Sequence, residues 1–153
     1  MYKAYTDGSS QKEWAGWAYV IIDTTTDTII TKDQGGFNKH ITEENAKLTN
    51  QQMELMAAIK ACEYWKSTEH FMIDELTICS DSAYLVNCKN QFWYLTWQAN
   101  GWYNAKRQKV SNPTYWKKLI PFFDDPSFKF EKVKGHSGDK YNEMVDKMAK
   151  NLT

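Results

Sequence analysis

The sequence predicts an α/β domain: a mixed five-stranded sheet, its first three strands antiparallel, flanked by helices. Three observations point there. Three runs with strand character follow one another within the first 40 residues, with only turns between them, which favours an antiparallel meander. Two further short strands, 75–80 and 128–133, are set off by segments with helical spacing. No linker, repeat or low-complexity tract divides the 153 residues, so one domain spanning 1–153 is expected.

Residues 2–6 read as the first strand, ending at Asp7-Gly8-Ser9-Ser10. Trp14 to Asp23, rich in Val, Ile, Trp and Tyr, is the second. After a turn at Thr24–Asp27, the third runs in two pieces, 28–32 and 36–40, broken at Gly35-Gly36 by a bulge. Thr49 then caps a long helix reaching about Lys66. Thr49 and Gln52 have the capping-box spacing, and Met53, Met56, Ala57, Ile59, Ala61, Cys62 and Trp65 recur at helical spacing. The fourth strand, 75–80, ends at Asp81-Ser82. A short helix covers 82–90, and a basic helical excursion continues to about Val110. Pro113 sits in the first turn of the next helix, to Phe123, where a missing N–H is tolerated. Phe128–Val133 is the fifth strand, Gly135-His136-Ser137-Gly138 a mobile loop, and Asp139 caps a last helix to about Asn151.

Apolar residues at 42% and charged residues at 25% allow a buried core and exclude a disordered chain. No apolar run approaches the roughly 18 residues of a membrane-spanning helix. The N-terminus lacks the apolar stretch of a secretion signal, so a free-standing chain starting at Met1, without membrane contact, is expected. Cys62, Cys79 and Cys88 are odd in number and scattered, giving neither a disulfide framework nor a CxxC pair. They read as reduced thiols of a cytoplasmic, monomeric protein.

The formal net charge is zero, yet the charge is unevenly spread. From Ser82 to Phe123 there are six basic residues and no acidic one, leaving thirteen basic against nineteen acidic residues elsewhere. Lys106, Arg107 and Lys109 cluster there among Trp93, Trp97, Trp102 and other rings, a composition suited to a polyanion. At least half of these rings belong in the core; those beside the Asn100-Gly101 turn, Trp93, Trp97 and Trp102, are expected to stay accessible.

Four carboxylates stand near the ends of elements: Asp7 after the first strand, Glu54 in the first turn of the long helix, Asp81 after the fourth strand, and Asp146 on the last helix. If the first and fourth strands are neighbours, Asp7 and Asp81 face each other at a topological switch point. Like charges at close range raise each other's proton affinity, and a hard divalent cation removes that conflict. Oxygen-only ligands suit Mg²⁺ or Mn²⁺ rather than Zn²⁺. Taken singly, each acid reads equally as a turn former or helix cap. His40 and His70 read as surface residues, and Asp139 and Glu143 as helix-start acids.

Four motifs, in order and spacing, make the chain similar to type 1 ribonuclease H over nearly its whole length. They are Tyr5-Thr6-Asp7-Gly8-Ser9, Thr49 through Ile59, Ser80 through Asn87, and Val133 through Gly138 followed by Asn142 and Asp146. The resemblance implies a ribonuclease H-like fold and an endonuclease that cuts the RNA strand of an RNA/DNA hybrid, leaving 5′-phosphate and 3′-hydroxyl ends. It implies two Mg²⁺ ions, with Mn²⁺ as a substitute, on Asp7, Glu54, Asp81 and Asp146, and a loop histidine, His136, for proton transfer or product release. By the same resemblance Asn50 and Gln51 meet the hybrid's minor groove, and with the backbone near Gly8, Ser9 and Ser10 they are the candidates to read the 2′-hydroxyl. Thr49 and Asn112 grip a DNA-strand phosphate. Residues 89–112 form a basic substrate-binding protrusion with Trp93 on its DNA-facing side. The chain departs from the pattern in a short loop after Asp7, in Gln52 where many relatives are basic, and in Ala83 where some carry a glutamine. Competing readings are a non-catalytic hybrid-binding module, another nuclease of the same superfamily, and a reverse-transcriptase fragment. The presence of all four acids, the Gly135-His136 loop and the protrusion favours the enzyme.

Overall fold

A computed structural model of the chain describes residues 1–133 and 139–152. Three strands come first: β1 (Tyr2–Ser10), β2 (Trp14–Asp23) and β3 (Thr28–Asn38). A four-residue helix α1 (Glu43–Ala46) and the long α2 (Asn50–Lys66) follow. Then come β4 (Leu76–Ser80), α3 (Ala83–Asn90), α4 (Trp93–Asn100), α5 (Pro113–Phe123), β5 (Phe128–Lys132) and α6 (Lys140–Ala149). The five strands form one sheet in the order β3-β2-β1-β4-β5. β1, β2 and β3 pair antiparallel, while β4 pairs parallel with both β1 and β5. The mixed sheet expected from the sequence is therefore present. Among the described residues no helix is long and apolar enough to cross a membrane.

Strand alternation sends side chains to two cores. Ala4 of β1 and Trp17, Tyr19 and Ile21 of β2 meet α2 and the α3–α5 region in the larger one. Tyr5 of β1 and Ala18, Val20 and Ile22 of β2 meet Tyr141, Val145, Met148 and Ala149 of α6 in the smaller. Trp65 and Trp116, both fully buried, anchor the larger core. α2 begins where the capping box places it: the Thr49 side chain accepts from the Gln52 N–H, and the Gln52 side chain accepts from the Thr49 N–H, each at 3.1 Å.

Several expectations need correcting. β1 does not end before Asp7 but continues to Ser10, because β2 stays paired with it through Ser10↔Ala15. Its parallel partner β4 pairs only as far as Tyr5↔Cys79. β3 is unbroken at Gly35-Gly36, which pair with Trp17 and Gly16; the register shift lies instead at Ile21/Ile22. The basic excursion is helical only through Asn100, since Gly101 at φ 83° closes α4 in the left-handed region. The chain then returns through a Tyr103↔Lys109 bridge rather than a helix. α1 has no counterpart in the sequence reading.

Candidate active site

The site forms where β1 and β4 stop pairing. Asp7 lies two residues beyond the last parallel pair, and by alternation it shares Tyr5's face, against which α6 packs. Asp81 follows β4 directly. Glu54 is the fifth residue of α2, just past the first turn in which the sequence places it, because the helix starts at Asn50. What lets α2 approach is Gly8: a Cβ there would stand 2.1 Å from the Glu54 backbone nitrogen and 2.1 Å from the Met53 carbonyl carbon. With hydrogen in that place, the strand and the helix backbone touch, and Asp7 is carried to Glu54.

Asp7, Glu54 and Asp81 each direct one carboxylate oxygen to a common point, these atoms lying within 4.8 Å of one another. The electrostatic cost is plain in their proton affinities. Asp7, only 7% exposed, is raised from 3.8 to about 8, first by burial and then by the Asp81 charge; the Gly8 N–H, donating to its Oδ1 at 2.9 Å, offsets part of this, and Asp146 and Glu54 add to it. Burial and then Asp81 raise Glu54 to about 7, against a hydrogen bond from the Ser82 side chain. Ser82 also caps α3, its Oγ accepting the Leu85 N–H. The sequence places the start of this helix at Ser82, and the structure makes Ser82 its cap; the hydrogen bond from Ser82 to Glu54 joins segments too far apart along the chain for spacing to reveal.

Asp146 stands apart from this trio. It is near enough for its charge to raise Asp7, but its Oδ2 accepts from Lys150 Nζ at 3.2 Å, one helical turn on. Lys150 is thus a site neighbour that the sequence reading did not name; its i,i+4 spacing to Asp146 was the available signal. His136 lies outside the described residues.

The donor set fits a hard divalent cation. All three convergent ligands are carboxylate oxygens, and burial with mutual repulsion leaves them short of positive charge. Among the described residues no histidine or cysteine joins the group.

Around this centre the remaining candidates divide. Asn50 Oδ1 accepts the Ser10 N–H at 2.5 Å, tying the start of α2 to the end of β1. Gln51, Gln52 and Asn112 are joined by side-chain hydrogen bonds of 3.0 Å. Ser9 is buried, with 7% exposure, so its side chain belongs to the fold. Lys106, Arg107 and Lys109 are exposed and without an ion-pair partner among the described residues. Trp93 is half-buried and lines a cavity of about 330 Å³ with Tyr84, Asn100, Tyr103 and Asn104. Trp97 corrects an expectation: at 6% exposure it is a core residue, wedged between Trp102 and Trp116 at 6.0 and 5.5 Å, though it also forms part of that cavity's wall. Trp102 is half-buried, with Lys117 Nζ 5.1 Å from its ring centre.

Comparison with known proteins agrees with this geometry. The family model described as RNase H matches residues 1–153. A protein named Ribonuclease H from Syntrophomonas wolfei is 40% identical over 149 residues, covering 96% of this chain and 92% of that protein. One of the same name from Caldicellulosiruptor saccharolyticus is 37% identical over 150 residues, covering 97% and 92%. Among solved structures, the PFV RNase H domain has a TM-score of 0.76 at 22% identity, covering 98% of this chain and 92% of that one. LC11-RNase H1, solved in complex with RNA/DNA hybrid, has a TM-score of 0.65 at 20% identity, with full coverage of both chains.

Proposed function

The chain belongs to the RNase H family, and from that premise we propose that it hydrolyses the RNA strand of RNA/DNA hybrids, with divalent cations, Mg²⁺ in the first place, held by Asp7, Glu54, Asp81 and Asp146. The observation that carries this reading is the meeting of three carboxylates from β1, α2 and the end of β4, far apart in sequence, at one part-buried point. When bound, a pair of such ions supplies a more acidic attacking water and balances the charge on the leaving 3′ oxygen.

The protein's own groups do the rest. Asp7, with its oxygen fixed by the Gly8 N–H, and Glu54, steadied by Ser82, present ligands that need little rearrangement. Asn50 and Gln51, at the start of α2, face the minor groove, where the 2′-hydroxyl separates RNA from DNA. Thr49 and Asn112 take a DNA-strand phosphate. Lys106, Arg107 and Lys109 neutralise further phosphates without reading bases, so cutting is nearly independent of sequence. Trp93 offers an apolar face to the DNA strand, and His136 serves proton transfer near neutral pH. The buried thiols Cys62, Cys79 and Cys88, all free, suit a reducing cytoplasm.

The test is incubation with labelled RNA/DNA hybrid, double-stranded RNA and double-stranded DNA, in Mg²⁺ and in chelator. Cutting of the hybrid's RNA alone, and only with metal, is expected. Cleavage that persists in chelator, or in the Asp7→Asn variant, would contradict the assigned metal role.

A further inference from the structure

Beside the carboxylates, four residues form a hydrogen-bonded chain whose direction is set from one end. The Thr49 backbone N–H donates to Gln52 Oε1. A backbone N–H can only donate, so the acceptor end of the Gln52 amide is fixed and its Nε2 must face away. That Nε2 donates to Asn112 Oδ1 at 3.0 Å, which turns Asn112 Nδ2 toward Gln51, where it donates to Oε1 at 3.0 Å. Each amide passes its orientation to the next. Asn112 is free to serve this way because, although it precedes α5 with a left-handed φ of 61°, its side chain does not cap its own helix.

The consequence is a rim whose unengaged groups are mainly donors. The side-chain acceptors of Gln52, Asn112 and Gln51 are engaged within the protein, as is that of Asn50 by the Ser10 N–H. Thr49 Oγ1 likewise receives the Gln52 N–H. Each of these amide oxygens already has one hydrogen bond inside the protein, whereas Nδ2 of Asn50, Nε2 of Gln51, the second N–H of Asn112 and of Gln52 and the Thr49 hydroxyl proton have no acceptor among the described residues. Phosphate oxygens and the N3 and O2 atoms of a minor groove are acceptors, and they match this rim.

We infer that Gln52 is a positioning residue that holds Gln51 and Asn112 with their N–H groups toward the substrate. This rests on the proposed hybrid-cutting function and adds a determinant of substrate affinity. A neutral glutamine achieves by orientation what a cation at this position would achieve by charge.

The test uses Gln52→Met, which keeps the stem and removes both hydrogen bonds, and Gln52→Asn, whose amide is too short to span to Asn112 while remaining compatible with the fold. Each should raise KM for an RNA/DNA hybrid about 5- to 20-fold with kcat within about twofold, and leave the salt dependence of KM unchanged because no charge is lost. In an Asn112→Ala background the same substitutions should raise KM by less than about twofold more, since their route is already cut. An unchanged KM, a loss confined to kcat, or equal effects in both backgrounds would overturn the inference while hybrid cutting by the unsubstituted protein still stood. Failure of the unsubstituted protein to cut the hybrid would overturn the proposed function and this inference with it.

Discussion

Replacing Asp7 by Asn should make the metal-free protein more stable, and the gain should grow with pH. Asp7 titrates at about 8 in the folded chain against 3.8 as its ordinary value, with burial the main cause and Asp81 the next. The sign follows from linkage. A group whose folded pKa is raised contributes its full stability below the unfolded pKa and loses it as pH rises through the folded one, so the window runs from about pH 4 to about pH 8. At pH 7 the protein must keep a proton on Asp7 that the unfolded chain would release, a cost of about 4 kcal/mol at 1.36 kcal/mol per pH unit. Asparagine has no such proton to keep. It retains an oxygen for the Gly8 N–H and nearly the same volume. For a chain of this size the gain corresponds to a Tm rise of about 8–15 °C at pH 7, shrinking to a few degrees near pH 4.5. Thermal unfolding of both proteins in chelator, from pH 4.5 to 8, measures the difference directly, and titrations common to both cancel. Added Mg²⁺ should raise the Tm of the parent at pH 8 and leave the variant nearly unmoved. A difference that is flat with pH, or a variant less stable than the parent at pH 8, would refute the account of this cluster as mutually repelling and cation-seeking.

Gly8→Ala should destabilise the chain by about 3 kcal/mol in urea unfolding and weaken Mg²⁺ binding by calorimetry, because its methyl group would press on the α2 backbone that bears Glu54. Lys150→Met should bind Mg²⁺ about 3- to 10-fold more tightly in the same titration, since Asp146 then loses a competing cation. Its stability should change by less than about 1 kcal/mol, as befits a part-exposed pair. Neutralising Lys106, Arg107 and Lys109 together should raise KM for the hybrid and flatten its log–log dependence on salt by about 2–3; an unchanged slope would remove them from the phosphate contacts.

Much of the fold was legible because the signals are local. Thr49 and Gln52 carry the start of α2 in their spacing, Pro113 marks the first turn of α5, and Asp139 caps α6 through the Tyr141 and Asn142 N–H groups. The glycine pair 35–36 misled because a strand's continuity depends on its partner: β2 supplies an unbroken ladder, and the bulge fell elsewhere. Trp97 misled likewise. Its place beside a turn says nothing of the Trp116 and Trp102 rings that close over it from other elements.

By itself, the sequence determined the order of the elements apart from α1, the antiparallel meander of the first three strands, and which acids could matter, because capping, periodicity and residue type act over a few neighbours. Tertiary structure alone decided that β4 leaves β1 at Tyr5, that Gly8 lets α2 touch the strand, and that Asp7, Glu54 and Asp81 meet while Asp146 stays outside the close trio. It alone decided, too, that Gln52 reaches Asn112 sixty residues away. Those are through-space facts, fixed by packing and charge between segments whose separation along the chain carries no record of their distance.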